Sequence, residues 1–242
     1  MNLLESELER LYHYGDGGHP HIEGEGICLL TQDGCTRCLV LELARPADWS
    51  AISEVWRRVQ TELGLPAPAI VVSGADGFQL WFSLQKAVLL SQARQFLEAL
   101  IQKYLGNIDP KRISLMPSEA HHVRAVPALQ ETGVWSAYVA PDLASIFTGS
   151  PWLDVCPSPE AQGKVLSGLE SITPEAFQSE LDRIARNSEF PLDSPAPLDL
   201  IPQAPTESYA LEAKRFLLSV MNDKSVEMSL RIKAAKALLS KT

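Results

Sequence analysis

Seven residues between Glu42 and Arg124 of this 242-residue chain have types and spacing that could do chemistry. Glu42 is a carboxylate inside an otherwise apolar run, Leu39-Val-Leu-Glu-Leu-Ala44. Ser73 and Gly74 form a small-residue turn, and Gln79 and Trp81 lie two apart in the run that follows it. Asp109 precedes a proline, and Arg124 begins Arg-Ala-Val-Pro127. A pair of carboxylates such as Glu42 and Asp109 could hold a divalent cation, since magnesium is bound through carboxylates and water. An indole beside an amide could stack on a base and hydrogen-bond to its edge. A Trp on a sheet face also packs readily against its own chain, here against residues after Gly133. Two weaker groups complete the inventory. Cys35-Thr-Arg-Cys38, with Cys28, His19 and His21 upstream, could be a zinc site or a set of buried free thiols. His121-His122 could supply a general base or could be solvated loop histidines.

The elements that must position these residues follow from periodicity. Leu3, Leu4, Leu8 and Leu11 repeat at helical spacing, predicting a first helix to about Tyr12. Gly26 to Thr31 and Arg37 to Ala44 are expected to form a hairpin around Asp33-Gly34. Asp48 should cap a helix whose buried stripe is Ile52, Val55, Trp56, Val59 and Leu63. Ile70 to Leu84 reads as two strands about a glycine turn, with Phe78, Leu80, Phe82 and Leu84 on one face and Gln79, Trp81 and Ser83 on the other. A helix from about Ser91 carries Phe96, Leu97, Leu100, Ile101 and Tyr104. Extended pieces are expected at Arg112 to Met116, His122 to Val126 and Gly133 to Ala140, and helices at Asp142 to Phe147, Pro159 to Leu169 and Thr173 to Ala185.

The order strand, helix, strand, strand, helix, strand over Arg37 to Val126 is that of the split β-α-β unit. The expected class is therefore α+β: a ferredoxin-like antiparallel sheet with helices on one face and a C-terminal helical appendage. The helices should cover Leu39, Leu41, Leu43, Phe78, Leu80 and Phe82, leaving Glu42, Gln79 and Trp81 together on the open face. Residues 1–186 are expected to form the core with its helical extension. Residues 187–206, rich in proline, read as a linker, and 207–242 as a helical pair.

These features resemble the catalytic domain of the archaeo-eukaryotic primase superfamily, over about Arg37 to Pro127. Ser73-Gly74 stands where that family has its Ser-Gly turn, Asp109-Pro110 where it has an Asp-Pro, and Arg124-Ala-Val-Pro127 near its basic strand. Two departures bear on activity. The family's Asp-x-Asp strand is here Leu41-Glu42-Leu43-Ala44, with one carboxylate, and its histidine position is held by Gln79. Two-metal nucleotidyl transfer needs several carboxylates. The resemblance thus implies a relative that binds nucleic acid or nucleotide without catalysis. An active metal-dependent nucleotidyltransferase built on Glu42 and Asp109 ranks last.

Phe216-Leu-Leu-Ser-Val-Met-Asn-Asp223 and Leu230-Arg-Ile-Lys-Ala-Ala-Lys-Ala-Leu-Leu239 resemble a helical tail of phage terminase small subunits, which implies a phage or mobile-element context. The central motifs are also similar to a group of bacterial proteins without assigned activity.

Charge divides the chain. The formal net charge is −9, which argues against a surface wholly adapted to nucleic acid. From Thr206 onward, seven basic residues face four acidic ones, so the tail is +3 and the rest −12. Lys214, Arg215, Arg231 and Lys233 could touch phosphates, or the amphipathic helices could bind a protein partner or a second copy. No cofactor is expected beyond a possible divalent metal. No apolar run is long enough to cross a membrane, and the start, Met1-Asn-Leu-Leu-Glu-Ser-Glu, lacks the layout of a signal peptide, so a cytoplasmic location is expected.

Overall fold

A computed structural model describes residues 2–12, 29–31, 33–117 and 124–189. The chain divides into two units, Met1–Leu192 and Asp193–Thr242. The second lies outside the described residues, and with it the expected helical pair and Lys214, Arg215, Arg231 and Lys233. His19, His21, Cys28, His121 and His122 also lie outside them.

Among the described residues five strands form one sheet: β1 (Cys35–Ala44), β2 (Ala69–Val72), β3 (Gly77–Leu89), β4 (Ile113–Met116) and β5 (Ala137–Val139). Their order is β4-β1-β3-β2-β5, and every neighbouring pair is antiparallel. Five helices of the described residues pack on it: α1 (Leu3–Tyr12), α2 (Trp49–Thr61), α3 (Leu90–Tyr104), α4 (Pro159–Ser167) and α5 (Pro174–Glu189). The described residues are thus α+β, built on one antiparallel sheet.

Strand alternation decides which residues meet which helices. Leu39, Leu41 and Leu43 of β1 and Phe78, Leu80 and Phe82 of β3 point to one face. There they join Ile52, Val55 and Val59 of α2, Phe96, Leu97 and Leu100 of α3, and Phe177 and Leu181 of α5 in the larger core. Asp48 opens α2 as expected, its Oδ1 accepting the Ala51 N–H at 3.1 Å.

The other face is not open, which corrects the expectation of helices on one side only. Leu4, Leu11 and Tyr12 of α1 and Leu166 of α4 pack with Cys38, Val40, Val71, Trp81 and Tyr138 in a second core. Polar staples fix this cover. Ser83 Oγ donates to the Leu11 carbonyl (2.5 Å), and Arg10 donates to the carbonyls of Leu169 (2.9 Å) and Leu166 (3.1 Å) at the end of α4.

Three expected strands come out differently. Residues 29–31 are not a strand, because β1 pairs with β3 on one side and β4 on the other; Gly34 (φ 70°) simply turns the chain into β1. Of the expected Gly133–Ala140 strand only Ala137–Val139 joins the sheet, since Trp135 bridges instead to Leu129 and Leu153. Of the piece at His122 to Val126, the described residues 124–126 are not strand. The helix expected at Asp142 to Phe147 is a single 3-10 turn, Ala144–Phe147.

Candidate functional site

On the second face a row of register partners runs across the sheet: Ser114 on β4, Glu42 on β1, Gln79 on β3, Val71 on β2 and Tyr138 on β5. α1 and α4 bury the Tyr138 end of this row, whereas Ser114, Glu42 and Gln79 are half-buried. Glu42 and Gln79 are therefore brought together, as the alternation of both strands requires.

Three side chains form a directed chain of hydrogen bonds. Trp81 Nε1–H donates to Gln79 Oε1 at 2.8 Å, and Gln79 Nε2 donates to Glu42 Oε1 at 3.3 Å. An indole nitrogen can only donate, so the bond from Trp81 fixes which end of the Gln79 amide is the carbonyl and turns its NH₂ to the carboxylate. Burial raises the pKa of Glu42 above its usual 4.5; the bond from Gln79 opposes this, Asp76 adds to it, and Arg45 opposes it.

Trp81 is 1% exposed, so it is not the stacking platform that an open face would have offered. Its ring meets Tyr12 edge-on at 5.4 Å between centroids and Tyr138 at 5.9 Å. The alternative reading of that tryptophan, packing against residues after Gly133, describes its position, with α1 as a further cover. What remains partly accessible in the row is the Glu42–Gln79 couple, with Ser114 next to it.

Ser73 and Gly74 serve the turn between β2 and β3. Ser73 Oγ accepts the N–H groups of Ala75 (3.2 Å) and Gly77 (3.0 Å). Gly74 has φ 76°, and a Cβ there would stand 2.7 Å from Gln130 Cγ and 2.8 Å from the Ser136 amide nitrogen. Only glycine fits such an approach. Arg124 reaches the same corner from the surface, donating to Gln130 Oε1 at 2.6 Å, with Glu131 at 3.7 Å.

Asp109 is exposed and caps a 3-10 turn, Pro110–Arg112, its Oδ1 accepting the Lys111 N–H at 3.0 Å. Glu42 and Asp109 therefore do different local work. No group of three or more His, Cys, Asp or Glu that could hold a metal occurs among the described residues. Cys35 is half-buried and Cys38 buried; both are free thiols, and burial pushes the Cys38 thiol well up.

Two features were not read from the sequence. Arg45, directly after β1, holds φ 53°, a left-handed conformation that costs an L-residue about 1–2 kcal/mol. The corner is held from both sides: Arg112 Nε donates to the Ala44 carbonyl (3.2 Å) and its Nη2 to the Pro46 carbonyl (2.7 Å), while the Arg45 guanidinium donates to the Lys111 carbonyl (3.3 Å). The available signal was Arg45-Pro46 at the end of a strand bearing a lone carboxylate. The second feature is Gln162 of α4, whose buried amide accepts the Tyr138 N–H (2.8 Å) and donates to the Tyr138 carbonyl (3.0 Å), closing the outer edge of β5. Nothing in the sequence pairs those two positions.

The site is thus a half-buried carboxylate and an orientation-locked amide at one end of a sheet, with Arg45 close enough to act on the carboxylate and Asp76 opposing it. No protein-family model and no curated protein matches the chain.

Proposed function

We propose that the sheet end around Glu42 and Gln79 binds a nucleotide or nucleic acid, in a non-catalytic accessory protein built on a ferredoxin-like sheet related to the primase-polymerases. The reading rests on one observation: the Glu42–Gln79 couple, with Ser114 next to Glu42 in the row, is a polar, half-buried end of a face whose other end is a covered, mainly apolar core. A desolvated carboxylate kept beside a residue in a strained backbone conformation is a feature of ligand sites. Glu42 supplies an acceptor for a base amino group, Gln79 a fixed donor and acceptor, and Arg45, with Arg124 at the β2–β3 turn, positive charge for phosphate. Recognition works by hydrogen bonds and charge rather than by stacking, since the indole is inside. A lone carboxylate in the row and Gln79 at the histidine position favour binding over nucleotidyl transfer.

The test is fluorescence anisotropy of labelled single-stranded DNA and RNA and of a fluorescent nucleoside triphosphate, across a salt series. The proteins are the full chain, Gln79→Ala, Arg45→Gln, and a chain with Lys214, Arg215, Arg231 and Lys233 all changed to Gln. Each sheet variant should weaken binding by about tenfold, the scale of one hydrogen bond to a charged partner. Absence of binding at low salt, or binding that only the tail variant reduces, removes the sheet from the reading.

A second reading, a protein-interaction scaffold, is favoured by the closure of the second face by α1 and α4, which leaves little of the sheet for a ligand. It predicts a full chain that self-associates or captures a protein and ignores nucleotides. A chain that sediments as a monomer and binds nucleotide refutes it.

A further inference from the structure

We propose that the outer edge of β4 takes up an extended segment of a protein partner as a sixth strand, with side chains that run apolar, basic, apolar. Such a partner belongs to the scaffold reading, on which this rests, and the sheet edge specifies its chemistry.

The two edges of the sheet differ. At β5 the N–H and C=O of Tyr138 are both taken by the Gln162 amide. Which groups of β4 face outward follows from the alternation of an antiparallel ladder. Ser73 N–H donates to the Gly77 carbonyl at 3.0 Å, so the backbone of Gln79 bonds β2, that of Leu41 bonds β3 and that of Glu42 bonds Ser114. Independently, the Ile113 N–H is taken by the Pro110 carbonyl and not by Leu43. Ser114 and Met116 therefore bond β1, whereas Leu115 aims its N–H and C=O, and Ile113 its C=O, away from the sheet. Among the described residues nothing bonds these three groups. Ile-Ser-Leu-Met also carries no charge and no proline, the common devices that blunt an edge. Strand addition uses just such a row of groups.

The side chains choose the occupant. Ile113 and Leu115 pack against the larger core, so apolar residues added opposite them extend that surface. Ser114 lies on the other face, with Glu42 behind it. Glu42 is half-buried, its side-chain partner is the neutral Gln79 amide, and no cation lies within ion-pair distance of it among the described residues. A residue added opposite Ser114 points to the same face as Glu42, two strand spacings or about 10 Å away, and serine is too short to block the path. An arginine and a glutamate side chain together span that gap. A second copy of β4 brings no cation to Glu42, which is why the edge suits a basic segment better than itself.

The experiment uses the full chain and a fluorescein-labelled peptide, Thr-Val-Arg-Val-Thr, followed by anisotropy at low and high salt. Two altered peptides accompany it: one with citrulline for arginine, and one N-methylated at both valines, whose N–H groups would face β4. Saturable binding of the parent peptide, weakened by salt, is expected. Citrulline should cost about tenfold, and N-methylation should abolish binding. Glu42→Gln should cost the arginine peptide about tenfold and leave the citrulline peptide unchanged, the coupling expected of a direct pair. Ser114→Lys, which sets a cation of the chain itself beside Glu42, should erase the preference for arginine. A peptide that does not saturate, an N-methylated peptide that binds as well as the parent, or a Glu42→Gln chain that weakens both peptides alike overturns the proposal. So does a chain that sediments as a dimer and excludes the peptide, which would put a second copy at the edge. A chain that captures a protein yet fails the peptide tests keeps the scaffold reading and loses only the edge, and nucleotide binding without peptide binding leaves the sheet site alone.

Discussion

Replacing Trp81 by Phe measures how firmly the second face is closed. The indole makes one hydrogen bond, to Gln79 Oε1, and sits 1% exposed between Tyr12 and Tyr138. Phe keeps an aromatic ring but removes the N–H, leaving a half-buried amide carbonyl without its donor, a loss of about 1–3 kcal/mol. The smaller ring leaves a void of about 40 Å³, worth about 1 kcal/mol at the usual cost per unit of cavity volume. Trp81→Phe should therefore lower stability by about 2–4 kcal/mol, and Trp81→Ala by about 3–5 kcal/mol or more. Urea unfolding followed by far-ultraviolet circular dichroism reads this directly, and an unchanged slope would show that the midpoint shift is a stability change. Because Leu11 packs in the same core, Leu11→Ala and Trp81→Phe should combine non-additively. A loss below about 0.5 kcal/mol for Trp81→Phe, the range of ordinary surface changes, would mean that α1 does not cover the indole. The account of the second face would then be wrong.

Two further outcomes follow from the same geometry. Gln162→Leu strips both hydrogen bonds from the buried edge of β5 and should cost roughly 2–5 kcal/mol, two unpaired backbone groups, as read by thermal or urea unfolding. Glu42→Gln concerns pH. The folded-state pKa of Glu42 is raised by burial, so the folded chain holds that proton more tightly than the unfolded one. Stability from this group is greatest below pH 4.5, falls as pH rises from 4.5 through the folded-state pKa, and stays reduced above it. The neutral variant, which can still accept from Gln79, should be more stable than the parent at pH 7 and should flatten that slope. A variant less stable at pH 7 would show that the charge of Glu42 is paired rather than penalised.

What the sequence made legible was local. Period-two alternation in Leu39–Ala44 and Phe78–Leu84 put Glu42 beside Gln79, and the 3.6-residue stripes of α2 and α3 identified the face they cover. The cover of the opposite face was not legible, because α1 and α4 carry the same generic leucine stripes and nothing in a stripe names its docking surface. The role of Trp81 turned on that one long-range fact. Ser73 and Gly74 were visible as a turn, but their engagement with their own loop and with Gln130 depends on a segment more than fifty residues later. The short β5 was overestimated because Trp135 satisfies the alternation while pairing off the sheet with Leu129 and Leu153.

The stapling of α1 to the end of α4 by Arg10 sets an order of events during synthesis. Its acceptors, the carbonyls of Leu166 and Leu169, are among the last described parts of the chain to leave the ribosome, whereas Trp81 emerges far earlier. At about 5–20 residues per second, the face bearing Trp81 and Val40 would wait roughly 4–18 s for its permanent roof. During that interval a nascent chain displays a wide greasy surface near its N-terminal half. This is a ready substrate for chaperones that meet nascent chains, and a point at which slow translation between residues 81 and 169 would favour aggregation over folding.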